Sequence, residues 1–183
     1  MPITRQRAIA ATCGLVAVTV GVALVSPSAV AADGRAHATV KDRNGQTLGE
    51  IGLRETAAGV LLRIKLKGLP PGPHGIHVHE AGMCEGDFTS AGPIFNPLGA
   101  KHGFHNDEGP MAGDLPNLYV AADGTAQVEL LNQFLTVSKD GDDALIDADG
   151  AAIVIHALAD DYLSEPDGGA GEAIACGVIV AGK

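Results

Sequence analysis

The stretch Gly75-Ile76-His77-Val78-His79-Glu80 alternates apolar and polar residues. In an extended chain residues i and i+2 point to the same face, so the alternation reads as a strand that brings both imidazoles to one spot. Taken alone, such a pair fits a metal site and fits equally well an exposed strand that binds nothing.

The same period of two governs most of the chain. Strand candidates are residues 36–41, 47–55, 59–67, 75–79, 118–120, 125–131, 152–156 and 174–180. Turn signals separate them: Arg43-Asn44-Gly45, Pro70-Pro71-Gly72-Pro73, Asp123-Gly124 and Asp149-Gly150. About eight short strands with such punctuation predict an all-β fold, a Greek-key antiparallel β-sandwich or flattened barrel. Two long stretches break the pattern. Residues 80–116 are rich in Gly, Pro, Asn and His, and residues 160–172 are Gly-rich and acidic. Loops of this length in a compact domain are functional or disordered.

The N-terminus has a different character. Arg5 and Arg7 precede an apolar run from Ala8 to Val25, and Ala29-Val30-Ala31 carries the small-residue cleavage pattern. Residues 1–31 therefore read as a secretory signal, cut near Ala31 or Ala32, which places the protein outside the cytoplasm, in a periplasm or secreted. The run is just long enough to span a bilayer, so a retained anchor is the competing reading. Cys13 follows Thr12 and has most of the apolar run after it, which argues against a lipoprotein site. Residues 32–183 form one domain, large enough for its own core, and no stable membrane span is expected after processing.

The net charge is −10, and loss of Arg5 and Arg7 takes it to −12. Such a chain is expected to avoid nucleic acid and anionic membranes. It contains no basic run, Gly-rich phosphate loop or internal repeat.

Downstream of the histidine pair lie Thr89-Ser90-Ala91-Gly92-Pro93-Ile94-Phe95-Asn96-Pro97, Lys101-His102-Gly103, Ala112-Gly113-Asp114-Leu115, Ile155-His156-Ala157-Leu158-Ala159-Asp160-Asp161 and Ala175-Cys176-Gly177-Val178-Ile179. In this order and spacing the segments closely resemble the copper–zinc superoxide dismutase family, from about Ala36 to the C-terminus. By that resemblance the first long stretch is the metal-binding loop and the second the electrostatic loop. Cys84 and Cys176 match the family's intradomain disulfide, expected to form in an oxidising compartment. It would close a loop of roughly 90 residues, a constraint valued at about 4–5 kcal/mol. Two buried free thiols are the alternative.

The resemblance also assigns the metal positions. The family's copper takes four histidines, one of which bridges to zinc. His77, His79 and His156 match three of them, while the bridging position falls on Ile94, which has no lone pair. Three imidazoles still suit copper, above all Cu(I), which accepts low coordination. The alternative is that these histidines only make hydrogen bonds. For zinc, His102 and Asp114 match, but the remaining histidine position falls on Met111. Two ligands are below the tetrahedral requirement, so no zinc is expected unless His105, three residues after His102, substitutes. Met111 reads as an apolar filler rather than a soft copper ligand. Asp160 matches the aspartate that orients a copper histidine and a zinc histidine through hydrogen bonds, and His74 matches a structural histidine bound to backbone carbonyls.

The family's active-site arginine falls on Ala173. Residues 140–182 hold ten Asp or Glu and no Lys or Arg, and repulsion of a charged substrate alters on-rates by roughly 10 to 10³. Lys101 is the one nearby cation the sequence offers in compensation. The first reading is therefore an extracytoplasmic copper-binding family member with impaired superoxide dismutation. The alternatives are an active copper-only dismutase, taking superoxide as substrate, and a metal-free structural or partner-binding sandwich.

Overall fold

Alternation in β1 (Arg35–Asp42) buries Ala36, Ala38 and Val40 and leaves Arg35, Thr39 and Lys41 in solvent. Its neighbour β2 (Thr47–Thr56) presents Leu53 and Ile51 opposite Ala36 and Ala38. The third strand, β3 (Gly59–Lys67), continues the layer with Ile64 and Leu62 against Ile51 and Leu53. Ile51, Leu62 and Ile64 are fully buried, and each such side chain contributes about 1.5–3 kcal/mol.

The computed structural model describes residues 34–137 and 144–182. The signal read over 1–31, with Arg5, Arg7 and Cys13, lies outside the described residues, as do Asp140, Asp142 and Asp143. Six further strands follow the first three: β4 (Gly72–His74), β5 (Ile76–His79), β6 (Leu118–Val120), β7 (Thr125–Asn132), β8 (Ala152–His156) and β9 (Ala173–Ala181). Seven form one curled antiparallel sheet in the order β5-β8-β9-β1-β2-β3-β7, and β4 and β6 form a separate ribbon. The all-β expectation holds. About eight strands were expected and nine are present: the addition is β4, which lies in the proline-rich segment read as a turn. Pro73 is tolerated there because the ribbon has only two strands, with Pro73 opposite Tyr119, and an edge needs no N–H from it. Among the described residues no helix is long and apolar enough to cross a membrane.

The sheet is covered on both faces where β5, β8 and β9 meet. Ile76, Val78, Ile153 and Ile155 enter the main core. Ala152, Val154 and Cys176 pack on the other side with Phe88 and Ala91 from the first long loop. Cys84 in that loop is joined to Cys176 by a disulfide, with Cα atoms 5.8 Å apart. The loop also docks through its backbone: Val78 N–H donates to Gly113 O at 2.9 Å, and Phe95 N–H to Val78 O at 2.9 Å. This approach is close enough that a Cβ on Gly113 would collide with the Val78 carbonyl.

Candidate metal centre

β5 and β8 run antiparallel with His77 opposite Val154 and His79 opposite Ala152. The period of two that sends Ile76 and Val78 into the core therefore sends His77 and His79 beneath the loops. His156, at the end of β8, joins them, and one ring nitrogen from each of the three lies within 4.8 Å of the others, all buried.

The other ring nitrogens fix the tautomers. His79 Nδ1 is 2.7 Å from Gly92 O, and His156 Nδ1 is 2.9 Å from Gly171 O. A carbonyl only accepts, so the N–H sits on that side. His77 Nε2 faces Asp160 Oδ2 at 2.9 Å, with the same result. The lone pairs are left on His77 Nδ1, His79 Nε2 and His156 Nε2. Among the described residues these three are the buried side-chain polar atoms without a partner. Burial lowers the His79 pKa to about 4, with His77 and His156 adding to the shift and the Gly92 carbonyl and Asp167 opposing it. His156 is lowered for the same first reason, burial, with His77 adding to it. Both rings are neutral at pH 7, the form that binds metal. Three converging, desolvated imidazole lone pairs fit copper.

The second metal position is built differently. His102 Nδ1 lies 2.8 Å from Asp114 Oδ1, and His102 Nε2 lies 3.1 Å from Asp160 Oδ1. Asp114 Oδ2 accepts from Gly103 N–H at 2.8 Å and Met111 N–H at 2.9 Å. Burial opposes a charge on the ring, but the hydrogen bonds it donates to Asp114 and Asp160 and the fields of both carboxylates outweigh it and raise the His102 pKa to about 10. Burial likewise works against the Asp160 charge, yet His102, His77 and the Tyr162 N–H hold its carboxyl far below the usual range. His102 is thus clamped between two carboxylates that favour its protonated form. With Ile94 and Met111 at the other two positions, His102 and Asp114 are two of the four ligands that a structural zinc site takes. His77, His102 and Asp160 also bring three donor atoms within 4.8 Å, but those atoms already bind one another. Gly168, at φ 66°, passes so close that a Cβ would strike the Asp160 carboxylate.

The remaining candidates fall into place around this frame. Ile94 is buried and sits on an isolated bridge opposite His79. Met111 is half-buried. His105 is exposed, packs edge-on against Tyr162 with ring centroids 5.6 Å apart, and joins neither cluster. His74 places its ring nitrogens 2.7 Å from His156 O and 2.8 Å from Pro70 O, below the site.

A cleft of about 310 Å³ opens on His79 and His156, with Asp87, Asp167, Glu172 and Ala173 on its wall. One cation lines it, Arg43, whose Nη1 lies 2.8 Å from Glu172 Oε2. The sequence reading took Arg43 only as part of a turn. Its position follows from the register of β1 on β9, which pairs Asp42 with Ala175 and so carries the next residue toward Ala173.

The family profile for copper/zinc superoxide dismutase (SODC) matches residues 47–179. The chain belongs to the copper/zinc superoxide dismutase family. A copper–zinc superoxide dismutase of Aquifex aeolicus (strain VF5) is 44% identical over 164 residues, spanning 88% of this chain and 96% of its own. One from Caulobacter vibrioides is 44% identical over 147 residues, spanning 79% and 84%. Among solved structures, a SOD-like protein from Bacillus subtilis superposes with TM-score 0.76 at 39% identity, covering 79% of this chain and 97% of its own.

Proposed function

We propose that the protein is an extracytoplasmic superoxide dismutase-family member, made with a signal over 1–31 and working as a domain over 32–183. It binds copper through His77, His79 and His156, carries no zinc, and dismutes superoxide poorly. One observation carries this reading: three buried imidazole nitrogens converge without a partner. An unsatisfied buried polar atom costs about 1–3 kcal/mol, so a metal-free sandwich would bear that cost three times over. The disulfide and the bacterial relatives agree with a location outside the cytoplasm.

Bound copper would supply one-electron exchange with a small oxygen species. The chain's own residues do the rest. Gly92 O, Gly171 O and Asp160 orient the three rings. Ile94 has no group to hold or release a proton. Asp87, Asp167 and Glu172 make the cleft more welcoming to a metal cation than to an anion. A second reading, a functional copper-only dismutase, draws its support from Arg43, the cation on the cleft wall.

Metal analysis after loading with copper and zinc tests the proposal. One copper per chain and no zinc are expected, with copper uptake lost in a His77→Ala/His79→Ala/His156→Ala variant. Equal copper uptake by that variant and the unaltered protein would overturn it.

A further inference from the structure

Although the chain is acidic overall, its charges are sorted by strand. Arg35, Lys41, Arg54, Arg63, Lys65 and Lys67 all lie on β1, β2 and β3, and all are exposed. The register gathers them on one face. Arg35 stands opposite Arg54, Gly52 lies between His37 and Arg63, and Glu50 between Thr39 and Lys65. Among the described residues the carboxylates on this face are Glu50 and Glu129, and Glu129 is paired with Arg63 at 2.6 Å. At the strand ends, Asp42 and Asp123 commit an oxygen to backbone N–H groups of their own turns.

Like charges directly opposite destabilise a sheet, yet Arg35 and Arg54 face each other. No hydrogen bond or ion pair reaches either guanidinium among the described residues. Gly52 adds no side chain between them and Arg63, which leaves a groove of about 270 Å³ bordered by Arg35, His37, Glu50, Arg54 and Arg63. Guanidinium forks match phosphate oxygens two at a time.

We propose that this face docks on anionic phospholipid headgroups. Charge complementarity is one argument, and the path of the chain is the other. The apolar run from Ala8 to Val25 is separated from Gly34 only by residues 26–33. Fully extended, that connection spans at most about 28 Å, and it enters the fold at Arg35, the first residue of β1. Until the run is cut, it holds the start of β1 within that distance of the bilayer. The overall charge does not forbid the contact, because charges more than about 8 Å from the headgroups are largely screened at physiological salt. Net charge alone predicts avoidance of such surfaces, and the sorted charge reverses that expectation locally. The metal cluster sits on β5 and β8, at the end of the sheet order away from β2 and β3, so docking leaves the cleft free.

The test uses the exported protein recovered from its native compartment, with vesicles of phosphatidylcholine alone or mixed with phosphatidylglycerol. Co-sedimentation with the anionic vesicles only, fading as salt rises, is expected. Arg35→Gln/Arg54→Gln/Arg63→Gln should weaken it by roughly a hundredfold, with thermal unfolding unchanged, and Glu50→Lys should strengthen it. Equal, salt-insensitive binding to both vesicles would assign the contact to the N-terminal run and overturn the proposal. So would saturable binding of inorganic phosphate with no vesicle binding, or no binding at all. If the triple variant fails to fold, a Glu50→Lys variant that binds no better overturns it as well.

Discussion

Ile94 stands directly opposite His79 on an isolated antiparallel bridge, its backbone pinned by Phe95 N–H to Val78 O at 2.9 Å and Glu80 N–H to Pro93 O at 3.1 Å. A side chain placed there projects from a fixed frame beside the trihistidine cluster. Ile94→His should therefore raise superoxide turnover of the copper-loaded protein by about 10²-fold, the lower end for a positioned proton-transfer group. Adding Met111→His should let the protein retain one zinc per chain through gel filtration, which the unaltered protein should not do. Zinc held firmly by the unaltered protein would sink this account of the second position.

The His102 clamp predicts a pH dependence of stability in the metal-free protein. Its folded pKa, about 10, lies above the ordinary value of 6.5. The clamp's contribution is thus fully present below pH 6.5 and is lost as pH rises toward 10. Denaturant midpoints should fall across that window, whereas His102→Gln should be less stable by about 3–5 kcal/mol at pH 6 and nearly flat above it. A wild-type midpoint that rises between pH 7 and pH 10 would contradict the clamp.

Arg43 and Ala173 share the cleft wall, so their roles can be separated by salt. Ala173→Arg should speed capture of superoxide several-fold at low ionic strength, with the gain fading as salt is added. Arg43→Gln should slow capture, and Glu172→Gln, by releasing the guanidinium, should speed it. Identical salt profiles for all three variants would remove electrostatics as a cause of the weak turnover proposed above.

The Cys84–Cys176 disulfide ties the metal loop to β9 across a sequence separation of 92. Thiol titration of the exported protein in denaturant should find no free thiol. Reduction should lower stability by about 4–5 kcal/mol, measured by chemical unfolding. Two titratable thiols in protein taken from its native compartment would show that the bridge does not form there.

How legible the molecule was depends on how far apart the cooperating residues lie. His77 and His79 are readable because a period of two is a local property, and β3, β6 and β8 match their sequence bounds for the same reason. The Gly72–His74 strand hides behind its prolines, which look like a turn until Tyr119 is seen opposite Pro73. The family pattern located Asp160, but its hold on both His77 and His102 spans separations of 83 and 58 residues and needs the folded loops. Arg43 was missed because its partner Glu172 lies 129 residues away. The basic face was missed because a summed charge discards position: Glu129 and Arg63 count the same whether paired or apart.

A loop fastened by a proton is finished by water, whereas a loop fastened by an ion must wait for delivery. With His102 held between Asp114 and Asp160, both long loops can close around the three histidines without a second element being supplied. If copper is the one metal bound, as proposed, maturation reduces to a single loading event. On the proposed reading, a chain exported empty-handed would already have the shape of a receptacle and could scavenge its ion wherever it encounters one.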